Sequence, residues 1–491
     1  MLAFAVSSTS NCFNWLLENK GLSISQPLGQ AKPSECWNPM LFDLQQVATL
    51  IHAELRGDGS LFPTALSLDT RTLQPGECFV AIRAGRDGHA FAAKAVELGA
   101  ACLLVDHPLE LPVPQLIVPD TLAALQAWGQ ARLKAVRPHA VFGITGSVGK
   151  TSTKDLLAAA TGGWKTPGNH NNTLGMPQAL ATMPLGESAA VLEMGMSTAG
   201  EIRRLTEIAP PDFGVITLIG TSHLENFPDG QQGIARAKGE LVEGMRGGGA
   251  WAHLATDPWC RWISEQPWTA QELAVPVGDG EDFGWQDIES MGPRGERFTL
   301  RTPDCDLPID LKLRGAHQVR NASLAAVIAL MAGFDRDDIA VGLGTVEPEE
   351  GRGRLHAMAG GGWLLDESYN ASGDSMLACA ESLLELKSGE AVAVLGCIRE
   401  LGANAERMHR EVGQGLRAKG LQRIWVYGDF AKAMAEGFGE GAFAFPDFDS
   451  MRDDPSGLGA IPDGARILVK GSRYWTSEQA VAWLLDHKGA V

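Results

Sequence analysis

Three consecutive α/β units are predicted for this chain, and three observations predict them. The 491 residues are 45% hydrophobic and 20% charged, enough apolar material for several cores and a length that suggests about three domains. Short apolar runs alternate with glycine turns and helical stretches along most of the chain, the pattern of largely parallel sheets covered by helices. The pattern breaks twice, at Val136-Arg137-Pro138-His139 and at Gly351-Arg352-Gly353-Arg354, where turn and linker residues interrupt the periodicity. The predicted division is an extension (1–39), a small N-terminal α/β unit (40–138), a central parallel-sheet unit (139–353) and a smaller, Rossmann-like C-terminal α/β unit (354–491).

Residues 1–39 are rich in Ser, Asn, Gln and Pro and carry no pattern, whereas periodicity begins at Met40-Leu41-Phe42-Asp43-Leu44, with Met40 a candidate natural start. In the N-terminal unit Cys78 to Ile82 reads as a strand, Phe91 to Leu98 as a helix, Ala101 to Val105 as a strand and Thr121 to Lys134 as a helix. The central unit opens on the apolar strand Ala140 to Ile144 and repeats strand, turn and helix through Ala190 to Leu205 and Phe213 to Ile219. The C-terminal unit places strands at Trp363 to Leu365, Ala391 to Leu395, Ile424 to Val426 and Arg466 to Val469. No internal repeat or low-complexity tract interrupts this reading.

Composition excludes several classes. A formal charge of -18 opposes a nucleic-acid binder held by a basic field, so any phosphorylated ligand must be handled locally. The eight cysteines form no CxxC pair and sit mostly in apolar surroundings, as expected of free thiols in a reducing, cytoplasmic compartment. No run reaches the length needed to span a bilayer, and the apolar stretch Leu2 to Val6 lacks the cationic flank of a signal peptide.

The sharpest chemical signal is Gly143-Ile144-Thr145-Gly146-Ser147-Val148-Gly149-Lys150-Thr151-Ser152, which follows a strand and opens a helix. Glycines let the backbone wrap a polyphosphate, the helix N-terminus supplies N–H donors, Lys150 adds a point charge and Thr151 can hold a magnesium ion. The usual loop has a glycine where this chain has Ile144, and the available one is Gly146. This shortened form, with no guanine-specific NKxD-like motif, disfavours a GTPase or kinase.

The loop is similar to the ATP loop of the Mur ligases and of folylpolyglutamate synthase. Downstream, Thr166-Pro167-Gly168-Asn169-His170-Asn171-Asn172-Thr173-Leu174-Gly175-Met176-Pro177 resembles a segment of the MurF-type branch. The blocks Glu193-Met194-Gly195, Gly200-Glu201-Ile202, Ser222-His223-Leu224-Glu225-Asn226-Phe227 and Ala237-Lys238-Gly239-Glu240 follow in the family's order. The resemblance implies an ATP-dependent amide ligase of peptidoglycan precursor synthesis, joining D-alanyl-D-alanine to a UDP-linked muramoyl tripeptide. The alternative within the family is a different acceptor. A monomer is expected, with no nucleic-acid or membrane partner.

The same resemblance assigns roles. Gly146, Ser147, Val148, Gly149, Lys150, Thr151 and Ser152 would hold ATP, with Asn321 on the adenine, Arg354 near the phosphates and Asp366 on the ribose. Thr151, Glu193, His223 and Lys238 would hold magnesium ions, two being expected, with Lys238 carbamylated by CO2. Lys150, Lys238 and His223 are thus the expected catalytic set. Asp69, Thr70, Arg71, Asp87 and His89 of the N-terminal unit would hold the UDP-sugar. Asn169, Asn171, Asn172, Tyr369 and Asn370 would shape the peptide site. Lys470-Gly471-Ser472-Arg473 matches a further family block, whereas Gln318, Ser372-Gly373 and Cys397 depart from the family pattern. Cys397 replaces an aspartate, a change expected either to alter acceptor binding or to be lineage drift.

Overall fold

A computed structural model describes residues 42–387 and 389–489, so the predicted extension 1–39 and its boundary at Met40 lie outside the described residues. Local chemistry sets the helix starts. Asp43 accepts from the Gln46 amide while the Gln46 side chain returns a bond to Asp43, and the helix Leu44–Ile51 buries Leu44, Val47, Ala48 and Ile51 on one face. Asp120 caps Thr121–Val136 and Asp257 caps Pro258–Ser264 in the same way, each accepting two backbone N–H groups.

The N-terminal sheet runs Glu54–Arg56, Gln115–Ile117, Cys102–Val105, Cys78–Val80, Leu66–Ser67 across its width. Only the edge pair Glu54–Arg56 with Gln115–Ile117 is antiparallel. The predicted helix 91–98 is divided: Asp87 caps a 3-10 turn at Gly88–Phe91, and the α-helix covers Ala92–Glu97. This unit leans on the central one through the helix Thr121–Val136. Its Gly129 lies so close to the backbone at Pro177 that a Cβ there would come within 2.6 Å of the Pro177 carbonyl oxygen. Arg132 Nε donates to the Met183 carbonyl at 2.7 Å and Gln178 Nε2 to Leu66 at 2.8 Å.

The central sheet is six-stranded and wholly parallel, in the order Leu273–Val277, Ala250–Leu254, Phe213–Ile216, Ala140–Thr145, Ala189–Glu193, Trp164–Lys165. Ala140–Thr145 is buried throughout, as expected of an inner strand covered on both faces. Its chain neighbour in the sheet changes side here, which makes the carboxyl end of this strand the crevice where open α/β sheets take ligands.

A three-stranded antiparallel sheet, Gly284–Ser290, Glu296–Arg301 and Asp306–Leu311, is also present. The sequence reading did not separate it from the parallel unit. Its alternating burial turns Phe298, Leu300, Leu307, Ile309 and Leu311 into the main core, which the helices Ala316–Met331 and Arg336–Thr345 share.

The C-terminal sheet has the order Arg354–Ala357, Trp363–Glu367, Arg466–Lys470, Ala391–Gly396, Arg423–Tyr427, Ala442–Phe445, parallel except for its first pair. Cys397, just past an inner strand, is fully buried in the apolar core, and burial pushes its thiol up to about 12. The aspartate-to-cysteine departure therefore falls in the core and removes no group from the cleft described below. No helix among the described residues is long and apolar enough to cross a membrane.

The contact at Gly129 gives a test of how the first two units are held together. Gly129→Ala improves helix propensity but overpacks against Pro177, so a net loss of about 1–3 kcal/mol is expected. A lower midpoint in urea unfolding followed by tryptophan fluorescence would show it; a raised midpoint would mean that the helix does not bear on Pro177.

Candidate active site

The phosphate loop leaves the buried strand Ala140–Thr145 and enters the helix Lys150–Thr161. Gly149 stands at the helix N-cap with φ 87°, and a Cβ there would lie 2.7 Å from Asn321 Oδ1. Gly146, at φ 149°, has Thr217 Oγ1 where a Cβ would project, and that hydroxyl donates to the Val148 carbonyl at 2.5 Å. Both positions need glycine for space as well as for backbone angle. Lys150 Nζ folds back to donate to the Gly146 carbonyl at 2.7 Å. Its pKa is lowered by burial and by Arg352, with Glu193 acting the other way.

Beside the loop, Glu193 ends the neighbouring strand with only 2% of its surface exposed. Thr151 Oγ1 donates to one carboxylate oxygen at 2.9 Å and Asn171 Nδ2 to the other at 2.9 Å. Lys154 Nζ stands 3.6 Å away and donates to the Gly168 carbonyl at 3.0 Å. A buried carboxylate is tolerated where donors and a cation surround it in this way.

These groups open onto a cleft of about 840 Å³ between the central and C-terminal domains. Ser147, Val148, Gly149, Lys150, Thr151 and Ser152 line it, as do Asn169, Asn171, Asn172, Glu193, His223 and Asn321. Tyr369 and Asn370 face them from the C-terminal side. Asn172 caps the helix Gly175–Ala181 by accepting from Leu174 and Gly175 N–H. Gln318, the residue at which the sequence departs from the family, accepts from Asn321 Nδ2 at 3.2 Å and so steadies it.

Cations gather at this cleft in a chain of charge -18: Lys150, Arg320, Arg352, Lys470 and Arg473 all line it. Lys470 is buried and sits 3.3 Å from Glu367, whose carboxylate, with the nearby Cys379 thiol, raises its pKa against the cost of burial. Asp374, in the first turn of the helix Gly373–Leu384, directs its carboxylate at Gly220 across the cleft. Burial and Asp257 raise its pKa. Neither Asp374 nor Arg352 was singled out from the sequence.

Several expected residues stand elsewhere. Arg354 lies outside the cleft lining and pairs with Glu350 at 2.7 Å, while Arg352, two residues earlier, stacks on Tyr369 at 3.9 Å and faces the cleft. The turn explains the exchange: Gly353 N–H donates to the Asp366 carbonyl, so the backbone reverses between the two arginines. Asp366 is 5% exposed and its oxygens accept from Gly351 and Ser368 N–H at 2.9 and 3.0 Å, which makes it a clamp on the interdomain connection outside the cleft lining.

Lys238 also lies behind the lining, 1% exposed on the helix Gln231–Glu243. No carboxylate among the described residues pairs with it, and burial, then Lys150, lowers its pKa far below the ordinary lysine value. In the N-terminal unit, Arg71 is bound to Asp69 at 2.5 Å and holds that carboxyl at about 2, with Thr70 between them in the turn. Asp87 caps the 3-10 turn, and His89 is locked between Asp87 at 2.7 Å and the Asp106 N–H at 3.0 Å.

The phosphate loop, the buried carboxylate held beside it and the cation-lined interdomain cleft define an ATP-dependent enzyme of the α/β class. The Mur ligase middle domain model matches residues 144–329, and the Mur ligase, glutamate ligase domain model matches 351–473. The chain is 34% identical over 453 residues to the UDP-N-acetylmuramoyl-tripeptide–D-alanyl-D-alanine ligase of Escherichia coli (strain K12), covering 90% of this chain and 98% of that protein. Its structure is similar to MurF from Acinetobacter baumannii, with a TM-score of 0.83 and 30% identity over 91% of this chain and all of the other. It is also similar to the MurF ligase from Thermotoga maritima in complex with ADP, at a TM-score of 0.73 and 25% identity over 85% and 96% of the two chains. The chain belongs to the Mur ligase family, in its MurF branch, and is an ATP-dependent ligase.

Two outcomes follow from this geometry. Loss of a charge-assisted contact costs about 1.5–3 kcal/mol, so Arg352→Ala is expected to raise the KM for ATP by roughly 10- to 100-fold while Arg354→Ala stays near wild type; the reverse order in steady-state assays would return the role to Arg354. Lys238→Met removes a buried amine whose folded pKa lies below its unfolded value. The unfolded lysine binds more protons at neutral pH, so the variant should show a higher thermal midpoint at pH 7. The gain should shrink as pH rises toward the ordinary lysine value of about 10.4. A lower midpoint at every pH would contradict a neutral, unpaired Lys238.

Proposed function

We propose that this ligase joins D-alanyl-D-alanine to a UDP-N-acetylmuramoyl tripeptide through an acyl phosphate. The observation that carries the reading is the Glu193 cluster, which fastens the peptide segment around Asn171 directly to the phosphate loop at Thr151. It is supported by relatives carrying that activity in their names, matched over nearly their whole length.

A carboxylate and an amine do not condense without activation, because the carboxylate oxygen is a poor leaving group. In the proposed first step the terminal carboxylate oxygen of the tripeptide attacks the γ-phosphorus of ATP. The bond to the bridging oxygen breaks, and an acyl phosphate and ADP form. Lys150 leaves the Gly146 carbonyl to meet the phosphates, and the loop N–H groups and Arg352 hold them. In the second step the dipeptide amine attacks the acyl carbon, the C–O bond to phosphate breaks, and the amine proton departs with inorganic phosphate. Closure of the C-terminal domain, through the connection near Glu350 to Leu355, keeps water from the acyl phosphate.

The donors fit two magnesium ions. Thr151 and Glu193 offer the hard oxygen ligands such ions require, and His223 faces the same cleft. Lys238 fits once its neutral amine adds CO2, forming an N–C bond and releasing a proton to give a carbamate anion; an unpaired amine whose pKa burial lowers is suited to that addition. Bound magnesium would neutralise charge on the transferring phosphoryl group. A cytoplasmic location, where ATP is available, accords with the free cysteines of the described residues. We further assign Asp69, Thr70 and Arg71 to the UDP-sugar end and Asn169, Asn172, Tyr369 and Asn370 to the peptide.

The deciding measurement is ADP release by purified protein with UDP-muramoyl tripeptide, in the presence and absence of D-alanyl-D-alanine. Release that depends on the dipeptide, with the amide product found by mass spectrometry, is expected. Dependence on another amine instead would replace the acceptor and keep the ligase.

A further inference from the structure

We propose that Glu400 of the C-terminal domain is a positioning residue for His223 of the central domain, so that the cation site is completed only when the two domains meet. The inference rests on the reading of His223 as a ligand to the phosphate-bound cation.

The contact is direct. His223 Nδ1 and Glu400 Oε2 meet in ion-pair contact across the cleft, and Nδ1 makes no aligned hydrogen bond in this arrangement. The loops that carry the pair also meet, since the short helix Leu224–Asn226 abuts Gly402–Asn404. Gly402, at φ 54°, lies so near Glu225 that a Cβ would come within 3.0 Å of the Glu225 Cβ. His223 lines the cleft, and its Nε2 has no partner among the described residues.

Backbone strain marks the same two residues. Among the described residues, six non-glycine residues adopt positive φ: His52, Arg137, His223, Asp287, Glu400 and Thr476. His52, Arg137 and Thr476 end helices, where the left-handed conformation satisfies the last carbonyls. Asp287 lies in the register shift of an edge strand. The remaining two, His223 at 63°, just before the short helix Leu224–Asn226, and Glu400 at 64°, close no helix C-terminus and sit in no bulge, and they face each other. Strained backbone of this kind persists where the surroundings need the side chain in one place.

The chemical consequence concerns the tautomer. A histidine whose Nδ1–H donates to a carboxylate keeps the proton there and presents the Nε2 lone pair, the arrangement that metal-ligating histidines require. Glu400 is the carboxylate within reach of His223 Nδ1, and closing the cleft further would bring the contact into hydrogen-bond alignment. That carboxylate arrives from the other side of the cleft, so the orientation of His223 reports domain closure.

The test is Mn2+ binding to the full-length protein, followed by electron paramagnetic resonance in the presence of a non-hydrolysable ATP analogue. Loss of such an orienting partner costs roughly 10- to 100-fold in metal affinity, and that loss is expected for Glu400→Ala. Glu400→Gln, which keeps an oxygen to accept from Nδ1–H, should recover most of it. In a His223→Ala background, Glu400→Ala should add nothing. Wild-type Mn2+ affinity in Glu400→Ala, or an equal further loss in the His223→Ala background, overturns the proposal. If His223→Ala itself binds Mn2+ as the wild type does, the ligand reading fails instead, and the two failures are told apart.

Discussion

A buried carboxylate is tolerable only while its donors stay in place, and Glu193 is where that constraint shapes the molecule. Its two oxygens are held by Thr151 of the phosphate loop and Asn171 of the peptide segment, with Lys154 of the loop helix nearby. The surrounding backbone is fastened to match: Glu193 N–H donates to Thr166 Oγ1 and Gly195 N–H to the Asn171 carbonyl. Removing one partner leaves charge without compensation, at a cost of several kcal/mol. Thus the segment expected to carry the peptide cannot move independently of the loop expected to carry the nucleotide. A reaction that passes a phosphoryl group between two substrates needs that rigid spacing.

Much of this was legible in the sequence because it is local. The strand Ala140–Thr145, the glycines at 146 and 149, Lys150 and Thr151 are consecutive, and the chemistry of a polyphosphate dictates their order. The parallel sheets were readable from apolar runs bounded by turns. The antiparallel sheet at 284–311 escaped because its alternation is short and lies inside a region already assigned to strand and helix repeats. Among side chains, orientation is what residue order does not carry. Gly351-Arg352-Gly353-Arg354 places two arginines two residues apart, and which faces the cleft is decided by the bond from Gly353 to Asp366, thirteen residues downstream of it. The sequence reading chose Arg354 by pattern, and the pattern carries no information on that reversal.

Asp366 illustrates the same limit in the other direction. As a carboxylate at the end of a strand in an α/β sheet it stands where ligands are commonly held, and the resemblance gave it the ribose. Its oxygens instead bind the amides of Gly351 and Ser368, fixing the connection through which the C-terminal domain is attached. Cys397 is the converse case. The loss of an aspartate there pointed either to an altered acceptor site or to lineage drift, and the thiol is wrapped by apolar side chains away from the cleft lining.

These corrections bear on how the two domains act together. The central domain contributes the loop, the Glu193 cluster and the buried amine of Lys238, and all of these are braced by the parallel sheet and its helices. The C-terminal domain and the connection leading into it contribute side chains that reach over: Arg352 of the connection stacked on Tyr369, Asp374 against Gly220, and Glu400 on His223. None of these four closes a core, and each is tied to its own domain near a chain turn or helix start. Rigid chemistry therefore sits on one side of the cleft and adjustable contacts on the other. An acyl phosphate that must exclude water, yet release its products, requires that division: a closure held by a few polar contacts reopens readily, whereas one held by an apolar interface would not.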